Sequence, residues 1–249
     1  MRSPSKLYDH DCETTDGGRR MRQSRSPREL LSVQLTLQCV GIEAGNLFVR
    51  IPGPDPDGIP RYYVARFPDD TYDVFFARDV PRAVRERLAA LAPHIAFENP
   101  AAIERILASD APCAGIWMGT SYTFPNPATP ADFPDVIRLS ANEHAQVAAH
   151  YDADLVLDGR AAFAIMRDGQ IVASCVSSRE NATAGEAWVR TEEAYRGRGY
   201  ARQVTAAWGT ALRLGGKVAF YSHRSDNAAS TGVARSLGLQ PFARDVGYL

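Results

Sequence analysis

Apolar and polar positions along the chain change their rhythm near residue 125. From Leu30 to Phe124 short apolar runs alternate with turn-forming clusters. Leu47–Ile51, Arg61–Phe67 and Tyr72–Ala77 carry the β-branched and aromatic residues of strands, and the prolines, glycines and aspartates of 52–58 separate the first two. Pro81–Leu91 opens on proline and sets Val84, Leu88 and Leu91 on one side, which predicts a helix; Ala101–Leu107 predicts a second. Beyond residue 135 the pattern sharpens. Ala161–Arg167 and Gln170–Ser178 read as strands joined by the hairpin turn Asp168-Gly169. Glu186–Thr191 is a further strand. Tyr200–Leu214 repeats apolar residues at Val204, Ala207/Trp208 and Ala211/Leu212, the stripe of a helix lying on a sheet, and Gly215-Gly216 ends it. Val218–Tyr221 is a short buried strand. Asn227–Leu237 is a helix, with Ser225 or Asp226 as its cap and Gly238 as its stop. Gln240–Phe242 and Val246–Leu249 can close the sheet. The order β-β-β-α-β-α-β predicts an α/β (mixed α+β) fold with helices packed on a mixed sheet.

Composition divides the chain further. Residues 1–29 hold seven basic and five acidic residues and almost nothing apolar, the composition of a disordered tail. Pro125–Pro134 has four prolines in ten residues, so a linker is expected at 128–135. It would separate a small α/β domain, residues 30–127, from a second domain, residues 136–249. Over 249 residues, 28 Lys+Arg stand against 29 Asp+Glu, a net charge of −1. A dedicated nucleic-acid binder needs a positive footprint, so that class is set aside. No apolar run approaches the ~20 residues of a membrane span, and the polar start is unlike a secretory signal. Cys12, Cys39, Cys113 and Cys175 form no CxxC pair, which points to reduced thiols, no metal and a cytoplasmic protein.

One segment carries chemistry. A strand ends at Thr191, a helix begins near Tyr200, and Arg196-Gly197-Arg198-Gly199 lies between them. Glycines let successive N–H groups converge, and the helix start adds unsatisfied donors and the positive end of its dipole. Such a junction suits a diphosphate, and the two arginines can add charge-assisted contacts. Gly216-Lys217-Val218 lacks the spacing and hydroxyl of a Walker loop. Gly197-x-Gly199 has Arg202 where a dinucleotide fingerprint needs its third glycine. The spacing that fits is R-x-x-G-x-A, from Arg196 through Gly199 to Ala201.

On these residues the sequence from about Val136 to Leu249 resembles the GNAT superfamily of acyl-CoA-dependent N-acyltransferases, whose pyrophosphate loop reads Q/R-x-x-G-x-G/A. Asn227, with Ser230 three and Gly238 eleven residues on, matches that family's final helix. The end of the chain looks nearest to the zwittermicin-resistance-type branch. The resemblance implies a GNAT-like twisted mixed sheet flanked by helices and acetyl-CoA as co-substrate. The acceptor would be an amine, a small molecule in preference to a protein; no nucleic-acid or membrane partner is expected, and the oligomeric state is open. It implies that Val189, Arg190 and Thr191 hold the pantetheine arm, that Arg196, Gly197, Arg198, Gly199, Tyr200 and Ala201 cradle the pyrophosphate, and that Asn227 assists. The amine would attack the thioester directly in a ternary complex. A carboxylate must accept its proton, and Glu186, Glu192 and Glu193 are candidates. The family's thiolate-protonating tyrosine falls at Ala234, so Ser230, Tyr221 or water would substitute. That departure leaves a catalytically weak acyl-CoA-binding regulatory module as the alternative.

Other signals are weaker. His144 and His150 face apart on a helix and are expected to be exposed; Asp152, Asp154 and Asp158 miss calcium-loop spacing. His223 beside Ser222 and Asp226 lacks a nucleophile elbow. Cys175 reads as core, and Trp188 as packing or as a wall of the acceptor pocket.

Overall fold

The computed structural model describes residues 25–43, 45–50, 60–125, 133–151 and 159–249. Most of the 1–29 tail, the turn cluster 52–58, most of the linker and the aspartates of 152–158 lie outside the described residues.

The first helix, α1 (Pro27–Leu35), went unread in the sequence. Ser26 caps it, accepting from the Glu29 N–H, and the Glu29 carboxylate accepts from the Ser26 N–H at 2.6 Å. Strands β1 (Cys39–Glu43), β2 (Leu47–Arg50), β3 (Tyr62–Arg66) and β4 (Tyr72–Ala77) follow. Helices α2 (Arg82–Ala89), α3 (Ile95–Glu98) and α4 (Pro100–Leu107) come next, the last starting on proline with the Asn99 side chain as cap. Strand β5 (Ile116–Thr123) precedes the proline-rich stretch. After it come β6 (Val136–Arg138), α5 (His144–Tyr151), β7 (Ala162–Arg167), β8 (Gln170–Glu180) and β9 (Ala184–Thr191). The chain ends with α6 (Tyr200–Leu214), β10 (Val218–Arg224), α7 (Ala228–Ser236) and β11 (Gln240–Tyr248). The expected β-β-β-α-β-α-β series is β7 to β11, a mixed sheet flanked by helices. The two closing strands are one: β11 runs through a bulge between Pro241 and Ala243 and on through Arg244 and Asp245. The cap of α7 is Asn227, two residues after Ser225 and one after Asp226, the expected caps; its side chain accepts from the Ser230 N–H at 2.9 Å.

Among the described residues, eleven strands join one sheet in the order β1-β2-β4-β3-β11-β5-β10-β9-β8-β7-β6. Strand β5 sits between β10 and β11, antiparallel to both, so a strand from before the proline-rich stretch is paired on each side by strands from after it. Side chains alternate across a strand. Along β9, Ala184 packs into the core that includes α1, whereas Ala187 and Val189 pack into the core that includes α6, so these helices cover opposite faces. A smaller core lies under α5.

Candidate active site at the parting of two strands

Parallel pairing of β9 with β10 extends over three residue pairs, ending at Glu186 and Phe220. Beyond that point β9 continues to Thr191, held by β8, and β10 continues to Arg224, held by β5. Among the described residues, the β10-facing edge of β9 from Ala187 to Thr191 has no strand partner. An extended arm bearing amides can pair with such an edge. Val189, Arg190 and Thr191 lie along it, and the Thr191 carbonyl accepts from Arg196 Nε at 3.3 Å.

Above the gap, Glu193–Tyr195 form one 3₁₀ turn, and the glycine loop leads into α6. Gly197 (φ 77°) and Gly199 (φ 76°) are left-handed, and each has open space where a Cβ would stand. Only glycine takes this conformation without strain. The loop is fixed from within: Arg198 donates to the Ala194 carbonyl at 3.3 Å and lies over the Tyr195 ring. Arg196, Gly197, Arg198 and Gly199 are exposed and Tyr200 and Ala201 half-buried, so α6 presents its first turn and two guanidinium groups at the mouth of the gap. Residues with these properties fit an acyl-CoA pyrophosphate.

At the foot of the gap Glu186 is buried, on the α1 face. Its Oε1 accepts from Ser222 Oγ of β10 and from Gln34 Nε2 of α1 at 3.2 Å, while Oε2 is buried without a partner. Gln34 Nε2 also reaches Ser121 Oγ of β5 at 3.4 Å, and Ser121 donates to Asp245 Oδ2 at 2.7 Å. Burial, opposed by the Ser121 and Tyr63 hydrogen bonds, pushes the Asp245 carboxyl up to about 7. Thus the nearest carboxylate of β9 is tied to four other elements.

Glu192, the second predicted carboxylate, is half-exposed and lies 3.0 Å from His150 Nδ1. His150 corrects the expectation of an exposed helix histidine. Its ring is buried at the end of α5, its Nε2 has no partner, and burial pulls its pKa below the ordinary value in spite of Glu192. The helical repeat could not show this, because the strand that covers the ring is distant in sequence. Next to it, Tyr151 donates to the Trp188 carbonyl at 2.7 Å and packs on the Trp188 ring at 4.7 Å. Trp188 itself is 40% exposed, two residues from Glu186 and on the same face.

Asn227 is exposed, its amide oxygen engaged as the α7 cap. Ser230 accepts at its carbonyl from Tyr221 OH at 3.3 Å, and burial pushes the Tyr221 phenol up to about 12. Ala234 is buried in the α6–α7 core. Orphaned buried atoms mark the region: Glu186 Oε2, Thr191 Oγ1, His150 Nε2 and His223 Nε2. Buried polar groups normally find partners, so these are candidates for ligand contacts. No group of three or more metal-ligating side chains occurs among the described residues, nor any helix long and apolar enough to cross a membrane.

Residues 159–244 match the family model for GNAT acetyltransferases. No curated protein matches the chain. Among solved structures it is similar to a putative GNAT-family acetyltransferase from Novosphingobium aromaticivorans, with 18% identity and a TM-score of 0.50, over 55% of this chain and 65% of that one. The chain therefore spans about two thirds of the length of that structure. A GCN5-related N-acetyltransferase-like protein from Streptococcus suis gives 16% identity, a TM-score of 0.46 and coverage of 80% and 87%. One from Sphaerobacter thermophilus gives 14%, 0.45, and 90% and 93%. Residues 159–244 thus match the GNAT acetyltransferase family, within a mixed sheet flanked by helices.

Proposed function

We propose that the chain transfers an acetyl group from acetyl-CoA to a primary amine by direct attack in a ternary complex. The observation that supports this reading is the position of Glu186: a buried carboxylate with one unpartnered oxygen, where β9 and β10 part. The gap edge at Val189–Thr191 would hold the pantetheine arm, and Arg196 to Ala201 the pyrophosphate. Acetyl-CoA supplies the thioester carbonyl. Glu186 accepts the ammonium proton, and the freed nitrogen attacks that carbonyl. The C–S bond breaks, the nitrogen loses its second proton, and the thiolate takes one up; Tyr221, Ser230 or water relays it, giving and regaining a proton so that the amide and the free thiol result. Most of the acceleration is positional, since the strand gap and the buried carboxylate are already in place. Residues 30–127 complete the acceptor side, because Gln34 and Ser121 both belong to them.

Thiol release from acetyl-CoA across a panel of primary amines tests the activity. Glu186→Gln is expected to lower kcat by about 10²–10⁴-fold while acetyl-CoA still binds. Unchanged turnover in that variant rejects Glu186 as base. The buried Ala234 in place of the family's tyrosine favours one alternative, a regulatory module that binds acyl-CoA. Thermal stabilisation by acetyl-CoA without turnover of any amine would support it.

A further inference from the structure

The polar row around Glu186 reaches far beyond a catalytic base. Five neighbouring strands contribute to one face: Tyr63 from β3, Asp245 from β11, Ser121 from β5, Ser222 from β10 and Glu186 from β9. Gln34, from α1, lies across them and links the middle of the row to its β9 end, donating to both Ser121 and Glu186. Two carboxylates thus share one buried run of hydrogen bonds, and each has an oxygen without a partner, Glu186 Oε2 and Asp245 Oδ1. Ser121 and Ser222 are directly opposed on paired strands, which keeps the carboxylates close enough to feel each other's charge.

We propose that Asp245 is a positioning residue for Glu186, and that the two carboxylates together carry a single negative charge in the resting protein. The inference rests on the reading of Glu186 as the base. Burying two like charges in one apolar face is unfavourable, so one proton stays within the pair. Asp245 is the holder: burial and the Glu186 charge both raise its proton affinity, while Ser121 and Tyr63 donate to it. Glu186, beside the gap, keeps the charge and can take the ammonium proton. The other titratable groups facing this row are the Tyr63 phenol, held well above its ordinary value, Cys39 of β1, and Arg179 of β8. Arg179 stands opposite Glu186 in register and has an interaction of its own. Deprotonation of Asp245 would add a second charge beside the base, and Gln34 and Ser121 transmit that change without a side chain having to move.

Carboxyl ¹³C chemical shifts of the full chain, recorded from pH 4 to 9 without ligand, test this. In the wild-type protein the Asp245 signal is expected to show a carboxyl that keeps its proton well above the ordinary aspartate range. In Glu186→Gln the Asp245 midpoint should fall by about one unit, a tenfold change in proton affinity. In Ser121→Ala, which keeps both carboxylates but removes the bridge, the midpoint should rise. An Asp245 midpoint unmoved in both variants would overturn the proposal. Since the readout needs no acceptor, it is separate from the base assignment: a Glu186→Gln protein that still acetylates amines rejects the base, whatever the shifts show.

Discussion

Asp245→Asn should remove most of the loss of stability that the wild-type protein shows as pH rises from 5 to about 7. The carboxyl is buried on β11 and titrates at about 7 against an ordinary 3.8. From 3.8 to about 7 the folded chain holds a proton that the unfolded chain has released, so stability falls as pH rises across that window and is level above it. Two pH units of the window, 5 to 7, lie inside a practical scan. At ~1.4 kcal/mol per unit, the wild-type protein loses about 3 kcal/mol between pH 5 and 9 through this one group. Asparagine cannot ionise and lacks that slope. Its Nδ2 would take the site of the unpartnered Oδ1, a buried donor costing about 1–3 kcal/mol. The variant is therefore expected to be the less stable protein at pH 5 and to draw level with or pass the wild type by pH 9. Urea unfolding at a series of pH values measures both curves. Parallel curves across the scan would refute the assigned burial cost and the network built on it.

Two further substitutions examine the phosphate cradle and the helix beneath it. Gly199→Val places a β-branched residue in the left-handed conformation, at about 1–2 kcal/mol, with its methyl groups in the open space of the loop. Acetyl-CoA binding by calorimetry should vanish with the fold intact by circular dichroism, and retained binding would dismiss the cradle. Gly209→Ala sets a Cβ against the Phe124 ring inside the α6 core, and overpacking of this kind costs about 1–3 kcal/mol. A drop in the urea midpoint is expected, with acetyl-CoA affinity kept in the folded fraction.

Legibility in the sequence follows how local each signal is. The hairpin β7–β8, the helix α6 and the glycine loop were readable because turn residues, helical stripe and loop spacing lie within a few positions of one another. Strand β5 was not. Its apolar and polar residues do not alternate cleanly, and Gly119 interrupts it. A Cβ there would press on the Trp117 ring and the His223 carbonyl, so the glycine answers to a neighbouring strand that no local window contains. Asp245 was hidden for a related cause: beside Arg244 it splits one bulged strand into two apolar fragments and looks like surface charge. It is flanked by β3 and β5, more than a hundred residues away, and covered by α1, further still. Glu186 stood out as a carboxylate on the right strand, but its partners Gln34 and Ser121 could not be found by spacing.

The placement of β5 bears on how the site is built. Pairing with β10 along Phe220–Arg224 fixes one wall of the gap, and that pairing comes from a strand that precedes the proline-rich stretch. The other wall, β9, is fixed by β8 from the same side of that stretch. Beyond Glu186 and Phe220 each strand keeps its outer neighbour, β8 for β9 and β5 for β10, but no longer pairs with the other. Gln34 then reaches from α1 to the carboxylate at the point of parting. The gap and the setting of Glu186 thus depend on residues that the family match at 159–244 does not include. An isolated C-terminal segment would leave β10 with an unpaired edge and Glu186 without its amide donor. The surplus of chain before the matched region is accordingly part of the site's frame.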